Sequence, residues 1–180
     1  MRCFFGVGVD HQLGLELISL RDRAMEQLSG AEPDPVGAGN FHLTLAFLGD
    51  LPAQRLSPLR DCAGAVAPAI RPGWIRFEAA RCFPHARSRL FAVEGEADGH
   101  AMEFHRRLCR CIAEAGFPVE HRSFRPHITL VRMRHSFVPA PQWPVELAMP
   151  VTDFCLYESI QRPGGVHYRV LQRWELGGDS

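Results

Sequence analysis

A five-residue element occurs twice in this sequence, and its repetition limits the folds that the chain can adopt. The two copies are Phe41-His42-Leu43-Thr44-Leu45 and Pro126-His127-Ile128-Thr129-Leu130. The chain has nine His and three Thr, which in random order would give only about 0.15 His-x-Thr triplets. Two triplets in matching apolar surroundings indicate an internal duplication, with one copy in each of two lobes.

Both copies alternate polar and apolar residues in the manner of a half-buried β-strand. Successive side chains of a strand point to opposite faces, so His42 and Thr44 share one face while the apolar residues around them face the core. His127 and Thr129 repeat this arrangement. If an approximate two-fold axis relates the lobes, two imidazoles and two hydroxyls surround one point in the cleft between them.

The rest of the chain predicts a mixed α+β architecture. Apolar residues at helical spacing predict helices over 11–28, 52–70 and 98–115. Strand patterns cover 4–9, 41–48, 75–82, 89–93, 126–131, 152–159 and 168–176. We interpret 31–39 as a loop and the Pro-rich stretch from 139 onward as a connector to the last strands. Hairpin-like pairs argue against a purely parallel sheet, and we expect residues 1–180 to form one domain of two pseudo-symmetric lobes.

Composition narrows the class of protein. The formal net charge is zero, so an RNA partner would be held at one local site and not by a general basic field. The six Cys form neither a Cys-x-x-Cys pair nor a zinc-type Cys/His spacing, which indicates free thiols in a reducing compartment. No segment approaches the roughly 20 apolar residues of a membrane span. We expect a soluble cytoplasmic monomer with no membrane association and no obligatory protein partner.

Two imidazoles and two hydroxyls around one point suit a tetrahedral phosphate diester. The hydroxyls can donate to the non-bridging oxygens, and each imidazole can reach one of the two in-line positions. In-line hydrolysis needs a base on the attacking water and an acid on the departing oxygen. Histidine can serve in both roles, because its ordinary pKa near 6.5 allows one ring to be neutral and another to be protonated near pH 7.

Other interpretations of the motif residues remain open at this point. A single His beside a Thr on a strand is more often a hydrogen-bonded structural residue, and only the repetition in matched settings favours function. A zinc site could use His42 and His127, although neither motif contains a carboxylate or a thiolate. A non-catalytic module could hold the phosphate at an RNA end without turning it over. The sequence contains no nucleophile elbow, P-loop or dinucleotide fingerprint.

At these residues the chain resembles the 2H phosphoesterase superfamily, which is named for its two His-x-Thr-x motifs. Within that superfamily it is most similar to the bacterial and archaeal RNA 2′,3′-cyclic phosphodiesterases, also called 2′-5′ RNA ligases. The similarity spans nearly the whole chain, and its clearest segments are 2–6, 40–49, 124–132, 156–159, 163–165 and 168–174.

The resemblance implies a bilobal fold of duplicated α/β lobes, with antiparallel-rich sheets lining a central cleft, helices outside, and neither a cofactor nor a metal. It implies hydrolysis of 2′,3′-cyclic phosphates at RNA 3′ ends to 2′-phosphomonoesters, with reversible 2′-5′ joining of tRNA halves as a further family activity. His42 would be the proton donor to the leaving 3′ oxygen, and His127 the acceptor that activates water. Thr44, Thr129 and Arg132 would bind the substrate. A sibling activity on a small cyclic nucleotide or a 2′-5′ oligoadenylate is the alternative within the superfamily.

Two features depart from the family pattern. The segment 87–94 stands where close relatives carry a Trp and a Gly, so the family's base-stacking contacts are not expected there. Arg132 matches the family's phosphate-binding Arg, but it lies an odd number of residues from both His127 and Thr129. It can therefore reach the cleft only if the strand ends or bulges near Val131.

Overall fold

Three helices lie among nine strands in residues 1–120 and 122–177, which the computed structural model describes. The elements are β1 (Arg2–Gly8), α1 (His11–Gln27), β2 (Pro33–Pro35), β3 (His42–Asp50), α2 (Leu56–Val66), β4 (Gly73–Cys82), β5 (Leu90–Ala97), α3 (Gly99–Glu114), β6 (His127–Met133), β7 (Trp143–Val151), β8 (Asp153–Arg162) and β9 (Gly165–Glu175). Short 3₁₀ turns lie at Ser29–Ala31, Ala38–Asn40, Ala53–Arg55 and Ala67–Ala69.

The described strands form two antiparallel sheets, and each sheet contains one of the duplicated motifs. The four-stranded sheet has the order β3-β1-β8-β9, and the five-stranded sheet has the order β2-β6-β5-β4-β7. In each sheet the motif strand pairs with the strand that precedes the intervening helix: β3 with β1 across α1, and β6 with β5 across α3. The α+β fold and the antiparallel sheets predicted from the sequence are confirmed.

The three predicted helices are confirmed, and two of them begin at carboxylate caps. Asp10 Oδ1 accepts a hydrogen bond from the backbone N–H of Leu13, at 2.8 Å, before α1. Asp98 Oδ1 accepts one from Ala101, also at 2.8 Å, before α3. Each carboxylate satisfies an N–H group that the first helical turn leaves unpaired.

The prediction of a Pro-rich connector from residue 139 onward is wrong in part, because Trp143–Val151 forms strand β7. The strand contains Pro144 and Pro150, which cannot donate to a sheet ladder. β7 lies at the edge of the five-stranded sheet and pairs only with β4 among the described strands, so the missing donors can face away from the partner. The predicted loop at 31–39 likewise contains the three-residue strand β2, which pairs with β6 at the opposite edge.

The helices pack on the faces of the sheets that point away from the cleft, and they link the two sheets. α1 follows the first strand of the four-stranded sheet but contacts β6 and β7 of the other sheet. α3 contacts the four-stranded sheet through Phe104, whose ring centroid lies 4.8 Å from that of Phe154 on β8. α3 also contacts β4 and β5 of its own sheet, so it bridges the two sheets, and one core cluster includes residues of both. No described helix is long and apolar enough to span a membrane.

Candidate active site

A cavity of about 530 Å³ lies between the two sheets and is lined by both motifs. The structure brings all five sequence-predicted site residues to its wall: His42, Thr44, His127, Thr129 and Arg132. The two motif strands begin at these histidines, so the imidazoles enter the cavity from opposite sheets.

The His42 ring is held by one hydrogen bond on each nitrogen. Nδ1 lies 2.7 Å from the carbonyl oxygen of Asn40, and Nε2 lies 3.1 Å from Thr44 Oγ1. A carbonyl can only accept, so Nδ1 carries the hydrogen and Nε2 of the neutral ring accepts from the threonine hydroxyl. The rings of Phe4 and Tyr168 enclose the imidazole, with centroids 4.8 and 4.7 Å away. This burial lowers the pKa of His42 to about 4, and the nearby charges of Arg132 and His127 act in the same direction.

His127 has a matching arrangement in the other sheet. Its Nδ1 lies 3.0 Å from the carbonyl oxygen of Arg125, which again makes Nδ1 the donor and leaves Nε2 to exchange protons. The ring of Phe83 stacks on the imidazole, with centroids 3.9 Å apart and planes inclined by 18°. Burial lowers the pKa of His127, although the Arg125 carbonyl and the negative charge of Glu94 oppose part of that effect. Both imidazoles are therefore neutral at pH 7 before an anion approaches them.

A β-bulge determines where Arg132 points. Val131 pairs with Phe91 on β5, but the next pair along the ladder is Thr129 with Ala92, so Leu130 is an extra residue in β6. The extra residue shifts the alternation by one position, and Arg132 returns to the cleft face that Thr129 occupies. Arg132 has no hydrogen bond or ion pair to another described residue, and it lines the cavity. The structure thus contains the bulge near Val131 without which Arg132 could not reach the cleft.

The cavity is electropositive. The described residues that line it include Arg2 and Arg132 but neither Asp nor Glu, in a chain with 20 acidic residues. The guanidinium groups and the two threonine hydroxyls can donate hydrogen bonds to an anionic oxyester, and each neutral imidazole presents Nε2 as a proton acceptor. The described residues contain no group of three or more His, Cys, Asp or Glu placed to hold a metal ion.

Comparison with known proteins assigns the chain to a family. Residues 18–157 match the model of the 2′-5′ RNA ligase superfamily. The chain belongs to that superfamily. A curated relative from Escherichia coli named RNA 2′,3′-cyclic phosphodiesterase is 30% identical over 176 residues, which cover 97% of this chain and 96% of the relative.

Solved structures extend the likeness to the fold of this 2′-5′ RNA ligase superfamily member. The crystal structure of TT0787 from Thermus thermophilus aligns with a TM-score of 0.87 at 26% identity and covers 100% of both chains. The apo crystal structure of E. coli LigT aligns with a TM-score of 0.81 at 29% identity, covering 98% of this chain and 97% of that one. The two-sheet architecture is therefore that of the superfamily.

Two residues that support the histidines were not predicted from the sequence. Asn40 and Arg125 each stand two residues before a motif histidine, and their carbonyls orient the two rings. The Asn40 side chain donates to the carbonyl of Val166 at 2.6 Å, which ties the first motif to β9. Both residues precede their histidine by two positions, which the sequence shows, but the sequence does not show which groups their side chains contact.

The Arg125 guanidinium ties the second motif to its own sheet. It donates to Glu94 Oε2 at 2.7 Å and to the carbonyl of Pro84 at 3.0 Å, and it lies 4.6 Å from the ring centroid of Phe83. Glu94 is 7% exposed and also accepts from Arg81. The guanidinium, the Phe83 ring and the His127 imidazole thus form a stack that is anchored by a buried carboxylate.

Phe47 is a further residue of the cleft that was not predicted from the sequence. Strand β3 has a bulge at Leu45, because Thr44 pairs with Gly6 while Ala46 pairs with Phe5. As a result Phe47 faces the cavity, at the same offset from His42 as Arg132 has from His127. Its side chain is 63% exposed, which is unusual for a Phe. No aromatic residue of 87–94 does the same, since Phe91 is fully buried in the core.

Proposed function

We propose that this protein hydrolyses 2′,3′-cyclic phosphates at RNA 3′ ends to 2′-phosphomonoesters by acid–base catalysis with His42 and His127. The observation that carries the proposal is the meeting of both imidazoles, both threonines and the Arg132 guanidinium in one cavity whose described lining includes no carboxylate. The relatives named RNA 2′,3′-cyclic phosphodiesterase, which align over nearly the whole chain, support this choice of substrate.

The cyclic phosphate lies between the two sheets in this proposal. Thr44, Thr129 and Arg132 donate hydrogen bonds to its non-bridging oxygens, whose charge grows as the pentacoordinate state forms. His127 Nε2 accepts a proton from water, and the water oxygen forms a new bond to phosphorus. The bond between phosphorus and the 3′ oxygen breaks, and the 3′ oxygen takes a proton from His42. The products are a 2′-phosphomonoester and a free 3′ hydroxyl.

The lowered pKa of each histidine makes substrate binding part of the mechanism. His42 must carry a proton to act as the acid, but burial keeps it neutral at pH 7. A phosphate anion within about 4–6 Å raises the pKa of a neighbouring imidazole by roughly 1–3 units. The substrate therefore promotes protonation of its own general acid. Arg132 opposes this effect at His42, since its positive charge lowers the pKa of that imidazole.

Phe47 provides a surface for the base of the terminal nucleotide. Its exposed ring faces the cavity beside Thr44. Stacking of a base on an aromatic ring contributes about 1–3 kcal/mol and tolerates every base. We expect Phe47→Ala to raise KM for all four terminal bases, and Phe47→Tyr to retain near-normal KM.

We further propose that residues 1–180 act as one monomeric domain in the cytoplasm. Helix α1 packs on the other half's sheet, and one core cluster includes residues of both sheets, which supports a single folding unit. All six cysteines are free, and free thiols are typical of a reducing compartment. Light scattering of the purified protein, which measures its molar mass in solution, tests the monomer.

One assay tests the function directly. The purified protein is incubated with a short RNA that ends in a 2′,3′-cyclic phosphate, and the 2′ and 3′ monoester products are separated. We expect the 2′ monoester alone, with kcat at least about 10²-fold lower for His42→Ala and for His127→Ala. Because the Phe83 ring stacks on His127, His127→Ala also removes a packing contact. Thermal melting therefore checks that each variant is folded.

Other outcomes of this assay favour the other interpretations. RNA binding without any product supports the non-catalytic module. Turnover that is lost on chelation and restored by zinc or manganese supports metal-assisted hydrolysis. Faster turnover of a small cyclic nucleotide or a 2′-5′ oligoadenylate than of the RNA end supports the sibling phosphoesterase.

A further inference from the structure

Strand β1 contributes two side chains to the cleft that the proposed chemistry does not use. Cys3, Phe5 and Val7 are buried in the main core beneath the sheet. Phe4 instead belongs to a small separate cluster on the other face, where it contacts the His42 ring at 4.8 Å. Since strand residues alternate between faces, Arg2 lies on the cleft side with Phe4. Arg2 is exposed and lines the same cavity as the motifs.

The Arg2 guanidinium has no partner among the described residues. It makes no hydrogen bond, and no carboxylate lies within 4 Å of it, although Asp50 is its register neighbour on β3. The carboxylate of Glu158 on the adjacent strand is instead paired with Arg169, at 3.0 Å. Arg2 instead lines a cavity whose described residues include no carboxylate.

Ser159 stands beside Arg2 on the other side. The two residues are directly paired between β1 and β8, and both line the cavity. A guanidinium and a hydroxyl side by side are the donors that bind phosphate oxygens. The cavity therefore has one anion-binding arrangement around the motifs and a second one at Arg2 and Ser159.

The two arrangements lie several residues apart along β1. Thr44 pairs with Gly6, and Arg2 is four residues from Gly6 along β1, or about 13 Å between backbones. The long Arg2 side chain spans part of that distance. Phe47 pairs with Phe4, midway between the two positions. Along β1 the Phe47 ring therefore lies between the residues around the reacting phosphate and the second cation, so a terminal nucleotide whose base contacts Phe47 can direct its upstream phosphate toward Arg2.

We infer that Arg2, with Ser159, binds the phosphodiester that joins the terminal nucleotide to the rest of the RNA chain. This inference rests on the proposed function and adds a basis for preferring RNA ends to free nucleotides. Arg132 holds the phosphate that reacts, and Arg2 holds the next phosphate upstream. A nucleoside 2′,3′-cyclic monophosphate lacks that upstream phosphate, so it cannot use the second site.

The test compares two substrates that differ only upstream of the terminal nucleotide. One is cytidine 2′,3′-cyclic monophosphate, and the other is a dinucleotide that ends in the same group. We expect Arg2→Gln to lower kcat/KM for the dinucleotide by roughly 5- to 30-fold, through KM, and to change the mononucleotide value by less than about twofold. The slope of log kcat/KM against log salt should also fall by about 0.7 for the dinucleotide.

Arg60→Gln is the matched control, because it removes the same charge from an exposed position on α2, outside the cavity. It should leave both substrates unchanged. An equal loss on both substrates, or no loss on either, for Arg2→Gln would overturn the inference. Binding of the 2′-phosphate product dinucleotide tests Arg2 without turnover, so the inference can be judged even if the hydrolysis proposal fails. Arg2→Gln should weaken that binding and leave cytidine 2′-monophosphate unaffected.

Discussion

Leu130 and Val131 are consecutive residues of β6, yet both side chains are fully buried, at 0% exposure. In a regular strand one of the two would face the cleft. The bulge that buries both returns Arg132 to the face of His127 and Thr129. A bulge at Leu45 in the other motif strand does the same for Phe47. A β-bulge in each motif strand thus directs a cation from one sheet and an aromatic ring from the other into the cleft.

Removing the Arg132 guanidinium should impair binding of the reacting phosphate and alter His42. We expect Arg132→Met to lower kcat/KM by about 10²-fold, and Arg132→Lys to recover part of this loss, since Lys keeps the charge but not the two-pronged donor geometry. The pKa of His42 should rise in Arg132→Met, because the Arg132 charge lowers it in the native protein. An NMR titration of the His42 ring measures the second effect. Unchanged kcat/KM in the Met variant would remove Arg132 from the site.

The two threonines can be tested with Val, which keeps the branched shape and deletes the hydroxyl. If Thr44 and Thr129 donate to the phosphate, each Val variant should lose roughly 10- to 10³-fold in kcat/KM with little change in melting temperature. If the hydroxyls only satisfy buried neighbours, the variants should lose about 1–3 kcal/mol of stability and keep their activity per folded molecule. The two explanations are harder to separate at Thr44, because its hydroxyl already has a protein partner 3.1 Å away, His42 Nε2.

Glu94 should influence His127 without touching the substrate. The charge of Glu94 raises the pKa of His127, and its carboxylate anchors the Arg125 side chain above Phe83. Glu94→Gln should therefore lower the pKa of the His127 ring and reduce kcat by roughly 3- to 10-fold, as the stack loosens. NMR titration and the pH–rate profile measure the two effects.

Glu96→Gln, an exposed position on the same strand, is the control for Glu94→Gln. It should change neither the His127 pKa nor kcat. A loss of melting temperature in Glu94→Gln without any shift of the His127 titration would mean that Glu94 serves stability alone.

The pH dependence should differ between kcat/KM and kcat. The profile of kcat/KM follows the free enzyme, in which burial lowers the pKa of His42 to about 4 and the pKa of His127 below its usual value. The pair holds two protons below both pKa values and none above them, and only the singly protonated pair is active. The kcat/KM bell should therefore lie below pH 6.5. Bound phosphate raises both pKa values, so the kcat bell should move about 1–3 units to higher pH. Coincident profiles would contradict the role assigned to the anion.

Local periodicity was enough to predict much of this molecule from its sequence. The two-residue periodicity of a strand predicted that His42 shares a face with Thr44, and His127 with Thr129, because alternation is a property of a single strand. Apolar spacing likewise predicted the three helices, and turn residues delimited most strands. β7 could not be predicted in this way, because Pro144 and Pro150 are tolerated only at an edge, and the edge is defined by the neighbouring strands.

The sequence by itself determined which groups are the candidates for the chemistry, and the tertiary structure decided how they are presented. The bulges that turn Arg132 and Phe47 depend on pairing with β5 and β1, and a single strand does not specify them. The histidine pKa values depend on burial by rings such as Phe4 and Phe83, which come from other strands or loops. Strand geometry is local, whereas pairing, burial and electrostatic environment arise only when distant segments meet.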